Sequence, residues 1–120
     1  MQGLGDLESA VMQVLWRTDG PLKVRGVLEQ LDTGRPLAYT TVMTVLDNLH
    51  RKSWVQRELV GKAYRYTTSL SREEAAARAL REVIDASGDP DAVLLHFAQS
   101  ISEHESGVLR QALQRSGDER

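Results

Sequence analysis

Tyr39-Thr-Thr-Val-Met-Thr-Val-Leu-Asp-Asn-Leu-His-Arg-Lys52 is the stretch on which the rest of the chain turns. Val42, Val45, Leu46 and Leu49 recur at three- and four-residue steps and so form one stripe of an α-helix. The opposite face carries Thr40, Thr44, Asp47 and Arg51, with Thr41, Asn48 and Lys52 on one shoulder. Threonine is a mediocre helix former, so three in the first half of one helix call for a reason. Short hydroxyl side chains let a helix sit deep in a DNA major groove. There the hydroxyls meet phosphate or base edges and the methyls meet thymine methyls. The stretch reads as a recognition helix. Taken alone it reads equally well as a solvated helix face, and its flanks decide between the two.

Upstream, a first helix is expected from Leu7 to Arg17, with Asp6 as N-cap and Leu7, Val11, Val14 and Leu15 as its buried stripe. Trp16 falls at the core edge. Asp19-Gly20-Pro21 stops this helix. A second helix covers Val24 to Leu31, with Val24, Val27, Leu28 and Leu31 apolar; near its start Lys23 or Arg25 is either a phosphate contact or a solvated cation. The loop Asp32-Thr-Gly-Arg-Pro36 then leads into the recognition helix, which gives helix-turn-helix order. Downstream, Trp54-Val-Gln-Arg-Glu58 and Ala63-Tyr-Arg-Tyr-Thr67 alternate apolar and polar residues as strands do. Leu59-Val-Gly-Lys62 joins them, with Gly61 supplying positive φ. Tyr64 and Tyr66 fall on one face and Arg65 on the other. A basic hairpin directly after a recognition helix is a wing, with Lys62 near its tip and Arg57 or Arg65 on its flank set to meet phosphates.

The 120-residue chain has a formal net charge of −2, which taken globally argues weakly against nucleic acid. The distribution says otherwise. Residues 1–69 hold nine Lys and Arg against seven Asp and Glu, residues 70–120 six against ten, and residues 35–65 six against two. The basic footprint is local. There is no cysteine, which fits a reducing compartment. No signal-peptide pattern or membrane-spanning run is seen, so a soluble cytoplasmic protein is expected.

The last third carries three short amphipathic helices. Ser71-Arg-Glu-Glu74 is a capping box opening a helix to Ala86, with Ala75, Ala76, Ala79, Leu80, Val83 and Ile84 on one side. Asp89 and Pro90 start the next, with Val93, Leu94, Phe97, Ala98 and Ile101. Ser102-Glu-His-Glu105 is a second capping box, followed by Val108, Leu109, Ala112 and Leu113. Gly107 costs ~1 kcal/mol inside a helix and is read as a mark of close helix approach. The tail from Ser116 is expected to fray. These stripes are too few to close a core alone, which points to completion by a second copy.

No enzyme constellation is present: no glycine-rich phosphate loop, no nucleophile elbow, no His-Glu-x-x-His. His50, His96 and His104 read as surface histidines. The last two are eight apart across a helix boundary with no third ligand in view, so neither metal nor cofactor is expected.

Leu7-Glu-Ser-Ala-Val-Met-Gln-Val-Leu-Trp16, Leu37-Ala-Tyr-Thr-Thr-Val-Met-Thr-Val-Leu46 and Tyr64-Arg-Tyr66 resemble the penicillinase-repressor family (BlaI/MecI type, with the copper-responsive CopY branch). The resemblance covers essentially the whole chain. It implies a winged-helix homodimer that represses transcription from pseudo-palindromic operators whose half-sites contain TACA/TGTA. In the β-lactam branch, which serves antibiotic resistance, a membrane sensor metalloprotease signals the drug. The repressor is then cleaved in its dimerisation lobe at an Asn-Phe bond. The matching position here is His96-Phe97, a departure from that pattern. The copper branch uses a C-terminal cysteine cluster, which this chain lacks. Asp47 and Asn48 also stand where relatives often have neutral or basic residues. Asp47 would repel phosphate unless it accepts from a cytosine amino group.

The resulting expectation is a mainly α (α+β) fold, with a winged helix-turn-helix domain over 1–69 and a three-helix dimerisation lobe over 70–120. Its function would be a homodimeric repressor that occludes double-stranded operator DNA and performs no chemistry. It would be relieved by proteolysis, through a membrane sensor metalloprotease or its effector, or by another signal on the C-terminal lobe. Thr40, Thr41, Thr44 and Asn48 would face the groove; Arg51, Lys52, Lys62 and Arg65 would meet phosphates. Leu80, Val83, Val93, Phe97, Ile101, Leu109 and Leu113 would form the dimer interface. The rival is a winged-helix protein-interaction module, an antirepressor or adaptor without DNA binding, which the net negative charge and Asp47 favour.

Overall fold

In a computed structural model that describes residues 3–118, the elements run α1 (Asp6–Arg17), β1 (Leu22–Lys23), α2 (Val24–Gln30), α3 (Tyr39–Arg51), β2 (Val55–Val60), β3 (Ala63–Thr68), α4 (Arg72–Asp85), α5 (Pro90–Ser100) and α6 (Glu103–Asp118). The fold is mainly helical with one small antiparallel sheet, a winged helix-turn-helix followed by three helices. The chain divides into two units, Met1–Ala79 and Leu80–Arg120. The division falls inside α4, whereas the sequence put it at 69/70. Two contacts tie the start of α4 and the residue Leu70 before it to α1, and one alanine of α4 is fully buried. The Trp16 indole donates to the Leu70 carbonyl at 3.0 Å, the Arg72 guanidinium lies 5.8 Å over the Trp16 ring, and Ala75 is fully buried.

The first unit has one core. Val42, Val45, Leu46 and Leu49 of α3 go inside, with Val11, Met12, Val14 and Leu15 of α1, Val24 and Val27 of α2, and Val55 and Tyr66 of the wing. Buried apolar positions follow the helical period because each helix turns one stripe inward. α1 departs from a single stripe. Met12 is as deeply buried as Val11, and Leu7 is only partly covered. α1 packs against α2, α3 and β3, so its inner face is wider than one seam.

Strand order is β1-β3-β2. The hairpin is longer than the alternation suggested, pairing from Val55↔Thr68 to Val60↔Ala63 around the two-residue turn Gly61-Lys62. Gly61 has φ +67 and Lys62 does not share it, which fits a type II′ turn with glycine first. β1 was not anticipated. It is two residues long, set in register by Leu22↔Tyr66 and Lys23↔Arg65, too short to show a period.

Several local expectations are corrected. Asp6 is the first residue of α1, and Gly5 is the cap, its N–H donating to Glu8 Oε1 at 2.9 Å. α6 continues to Asp118, so Ser116 and Gly117 are helical; Glu119 and Arg120 lie outside the described residues. Among the described residues of its own unit, a Cβ on Gly107 would meet nothing within 4 Å, so the close helix approach read from the sequence is not seen there. The capping readings of α4, α5 and α6 agree with the geometry. Glu74 N–H donates to Ser71 Oγ, Ala92 N–H to Asp89 Oδ1 and Glu105 N–H to Ser102 Oγ.

The second unit differs in kind. The buried cluster contains none of its residues, and α5 has no fully buried residue. Of the expected interface residues, Leu80, Val83, Phe97, Leu109 and Leu113 are exposed, and Val93 and Ile101 are half-buried. Leu94, Leu95 and Val108 are exposed too. No helix among the described residues is long and apolar enough to cross a membrane.

Candidate nucleic-acid interface

The outer face of α3 is open. Thr40, Thr41, Thr44, Asp47 and Arg51 are all exposed, and Asn48 is half-buried. Thr44 Oγ1 donates to the Thr40 carbonyl at 2.9 Å. Its proton is thereby engaged, and what it presents outward is an acceptor oxygen and a methyl. That pair suits a base amino group or a thymine methyl. No side chain caps α3, whose N-cap position is Ala38. Thr41 therefore does not cap its own helix; its N–H and that of Val42 both donate to the Ala38 carbonyl, at 3.1 and 3.3 Å. At the other end Asn48 Oδ1 accepts from Arg51 Nη2.

Lys52 is placed differently from its neighbours. Its ammonium lies 2.9 Å from Glu8 Oε1 and 3.4 Å from the Gly3 carbonyl, fastening the end of α3 to the start of α1. Burial by itself pushes the Glu8 carboxyl up, but the Gly5 N–H and then Lys52 bring it below its ordinary value of 4.5. Just beyond, Ser53 has φ +67. Trp54 N–H donates to the Leu49 carbonyl at 2.9 Å and Ser53 N–H to the His50 carbonyl at 3.0 Å, a Schellman ending that turns the chain into the wing.

Between α3, the start of α2 and the wing lies a groove of about 840 Å³. Lys23, Arg25, Arg51, Arg57 and Lys62 line it, with His50, and Asp47 is the one carboxylate. Thr40 and Thr44 share the exposed helix face of Asp47 and Arg51 but do not line the groove, whose other α3 residues are Tyr39 and Met43. Arg57 is held on its floor. Its Nη1 is 3.0 Å from Asp47 Oδ1, and its guanidinium lies 4.3 Å over the Tyr64 ring. It faces Tyr66 across the ladder. Burial pushes the Tyr66 phenol above its usual value, which Arg57 only partly offsets. Arg25 leans over Tyr39 at 5.8 Å.

Of the residues read from the sequence, Arg51 and Lys62 line the groove, and Thr40, Thr41, Thr44 and Asn48 lie on the helix that forms its wall. Arg65 does not line it; it stands on the opposite face of the wing, in register with Lys23 and Glu58. Arg57 was read only as an alternative to Arg65. Its place was legible in principle. A two-residue turn at Gly61-Lys62 fixes the register that sets Arg57 beside Tyr66 on the face shared with Tyr64. Convergence of Lys23 and Arg25 was not legible, because it depends on β1.

The sequence matches the penicillinase repressor family over residues 4–115. The chain belongs to that family. This penicillinase repressor homologue is 42% identical over 113 residues to the transcriptional regulator BlaI of Mycobacterium tuberculosis strain CDC 1551 / Oshkosh, covering 92% of this chain and 82% of the relative. The same figures hold for the BlaI of strain ATCC 25618 / H37Rv. Among solved structures, Streptococcus pneumoniae FabT, crystallised in complex with DNA, superposes with a TM-score of 0.50 at 17% identity, over 98% of this chain and 76% of that one. At that identity the likeness concerns the fold alone. The family is one of transcriptional regulators and not of enzymes.

Proposed function

We propose that this penicillinase repressor homologue is a homodimeric repressor that occludes a pseudo-palindromic operator. The groove carries the reading. Five Lys and Arg face one carboxylate there, beside an exposed threonine face, in a chain whose net charge is −2. α3 enters the major groove, with Thr40, Thr41, Thr44 and Asn48 toward base edges. Arg51, Lys62, Lys23 and Arg25 meet phosphate, and Arg65 reaches the backbone from the outer side of the wing. Lys52 supports the platform through Glu8. Asp47, the best argument for an adaptor that does not bind DNA, is neutralised by Arg57.

The open stripes of the second unit support homodimerisation. A two-fold dimer matches a palindromic site, and the tether gives the second half-site a high effective concentration. Relief is proposed to act on this unit, by proteolysis or another signal. His96-Phe97 is the candidate cleavage bond, and a membrane sensor metalloprotease or its effector the candidate agent, as in β-lactam resistance. Both residues are exposed and lie inside α5, a helix that must open locally before a protease can take it. DNA as target puts the protein in the cytoplasm.

The test is a salt titration of binding to a random duplex and to one selected by the protein. A repressor shows steep counterion-release dependence on both and tighter binding to the second. Absence of salt-dependent binding to either would leave the adaptor reading.

A further inference from the structure

Asp47 sits three residues beyond Thr44 and four before Arg51 on the exposed face of α3, where a major-groove helix points at bases. A bare carboxylate there opposes phosphate. Its partner is Arg57 on β2, at 3.0 Å, with the two side chains 52% and 26% exposed respectively. The same guanidinium is stacked on Tyr64 at 4.3 Å. Among the described residues, Arg57 is the one groove Lys or Arg in an ion pair. The other four groove cations have no carboxylate partner among the described residues, while Arg57 is held back by one.

We propose that Asp47 and Arg57 form a charge lock that ties phosphate binding to base identity, an inference that rests on the DNA-binding reading above. On unmatched sequence Asp47 keeps Arg57, and the wing binds with one phosphate contact fewer. Where the duplex offers a cytosine amino group opposite Asp47, the carboxylate accepts that N–H. Arg57 is then released to the adjacent phosphate. One base contact recruits one backbone contact, so the right sequence gains affinity twice and the wrong sequence gains neither.

The probes are a duplex enriched from random-sequence DNA by the full-length wild-type protein and an unselected duplex of equal length. Each is titrated by fluorescence anisotropy at several salt concentrations. Each phosphate neutralised adds about 0.9 to the slope of log K on log salt. Arg57→Gln is expected to flatten the slope by about one unit on the selected duplex and leave the unselected slope unchanged. Asp47→Asn is expected to steepen the unselected slope by about one unit, raise affinity there several-fold, and erase a cytosine preference at one position of a base-substitution scan. In the Arg57→Gln background, Asp47→Asn is expected to bring no such gain. Arg57→Lys keeps the charge without the planar fork, and its retained slope guards against a wing that fails to fold with glutamine. The lock is overturned if Arg57→Gln flattens both slopes alike, or if Asp47→Asn gives the same gain with and without Arg57. A wild type that enriches no duplex overturns the DNA-binding reading and the lock with it; the preceding outcomes, from a wild type that binds, overturn the lock alone.

Discussion

At the scale of single residues, hydrogen-bond direction decides what a side chain can do. Thr44 gives its proton to the Thr40 carbonyl, so in the proposed complex with DNA it would act as an acceptor with a methyl. Thr44→Ala should weaken binding to a selected duplex by ~1–3 kcal/mol and leave a random duplex little changed. Thr44→Val, which keeps the methyl and drops the oxygen, tells the two contributions apart; equal losses on both duplexes would make Thr44 a backbone positioner. Ser53 holds a left-handed φ of +67 at the end of α3, a conformation that disfavours any residue with a Cβ. Ser53→Gly should therefore raise stability by about 1 kcal/mol, read as a higher melting temperature, and an unchanged or lower one would mean the turn is not strained. Glu8 sits below its ordinary value of 4.5. A depressed folded-state pKa contributes stability above the unfolded value, and that contribution disappears as pH falls through the folded one. Glu8→Gln should accordingly show a shallower fall of melting temperature on acidification than wild type; parallel falls would assign the acid sensitivity to other carboxyls.

At the scale of elements, the wing and α3 act as two walls. The short turn Gly61-Lys62 puts a cation at the tip, and the register carries Arg57 to the groove side and Arg65 to the other. Lys62→Ala should weaken binding on all sequences alike and reduce the salt slope by about one unit. A slope that does not move would mean the tip stays off the phosphate backbone. The wing is held by the core through Val55 and Tyr66, both buried. Its length was underestimated because alternation fades where Leu59 and Val60 follow each other, although both belong to β2. β1 escaped notice altogether, since two residues against β3 carry no periodic signal.

At the scale of the molecule, the two units bury apolar surface to very different degrees. The first closes its own core; the second leaves Phe97 45% and Leu113 73% exposed. Apolar exposure on that scale marks an interaction surface, and the proposed cover is a second copy. Phe97→Ala should cost the dimer ~3–5 kcal/mol if the partner buries the ring fully, observed as dissociation by sedimentation or light scattering. A fragment ending at Ala79, which keeps the buried Ala75, should be monomeric and bind DNA far more weakly than the full chain. Equal dimerisation of wild type, variant and fragment would remove the lobe from that role and the proposed regulation with it.

The sequence by itself determined the winged-helix order, the inward stripe of α3 and the caps of the last three helices. These follow from local periods and from side chains that reach backbone only three residues away. Family membership was legible for the same reason, in short runs such as Tyr39-Thr-Thr-Val42. Tertiary structure alone decided which cations meet. Lys23 and Arg25 join Arg51, Arg57 and Lys62 because β1 pairs with β3. Lys52 leaves that set because folding sets α1 beside the end of α3, with Glu8 within reach. Asp47 reads as an intruding charge until β2 brings Arg57 to it. Charge is a property of residues, but a binding surface depends on distances between residues far apart in the chain, and those are fixed only when the core closes.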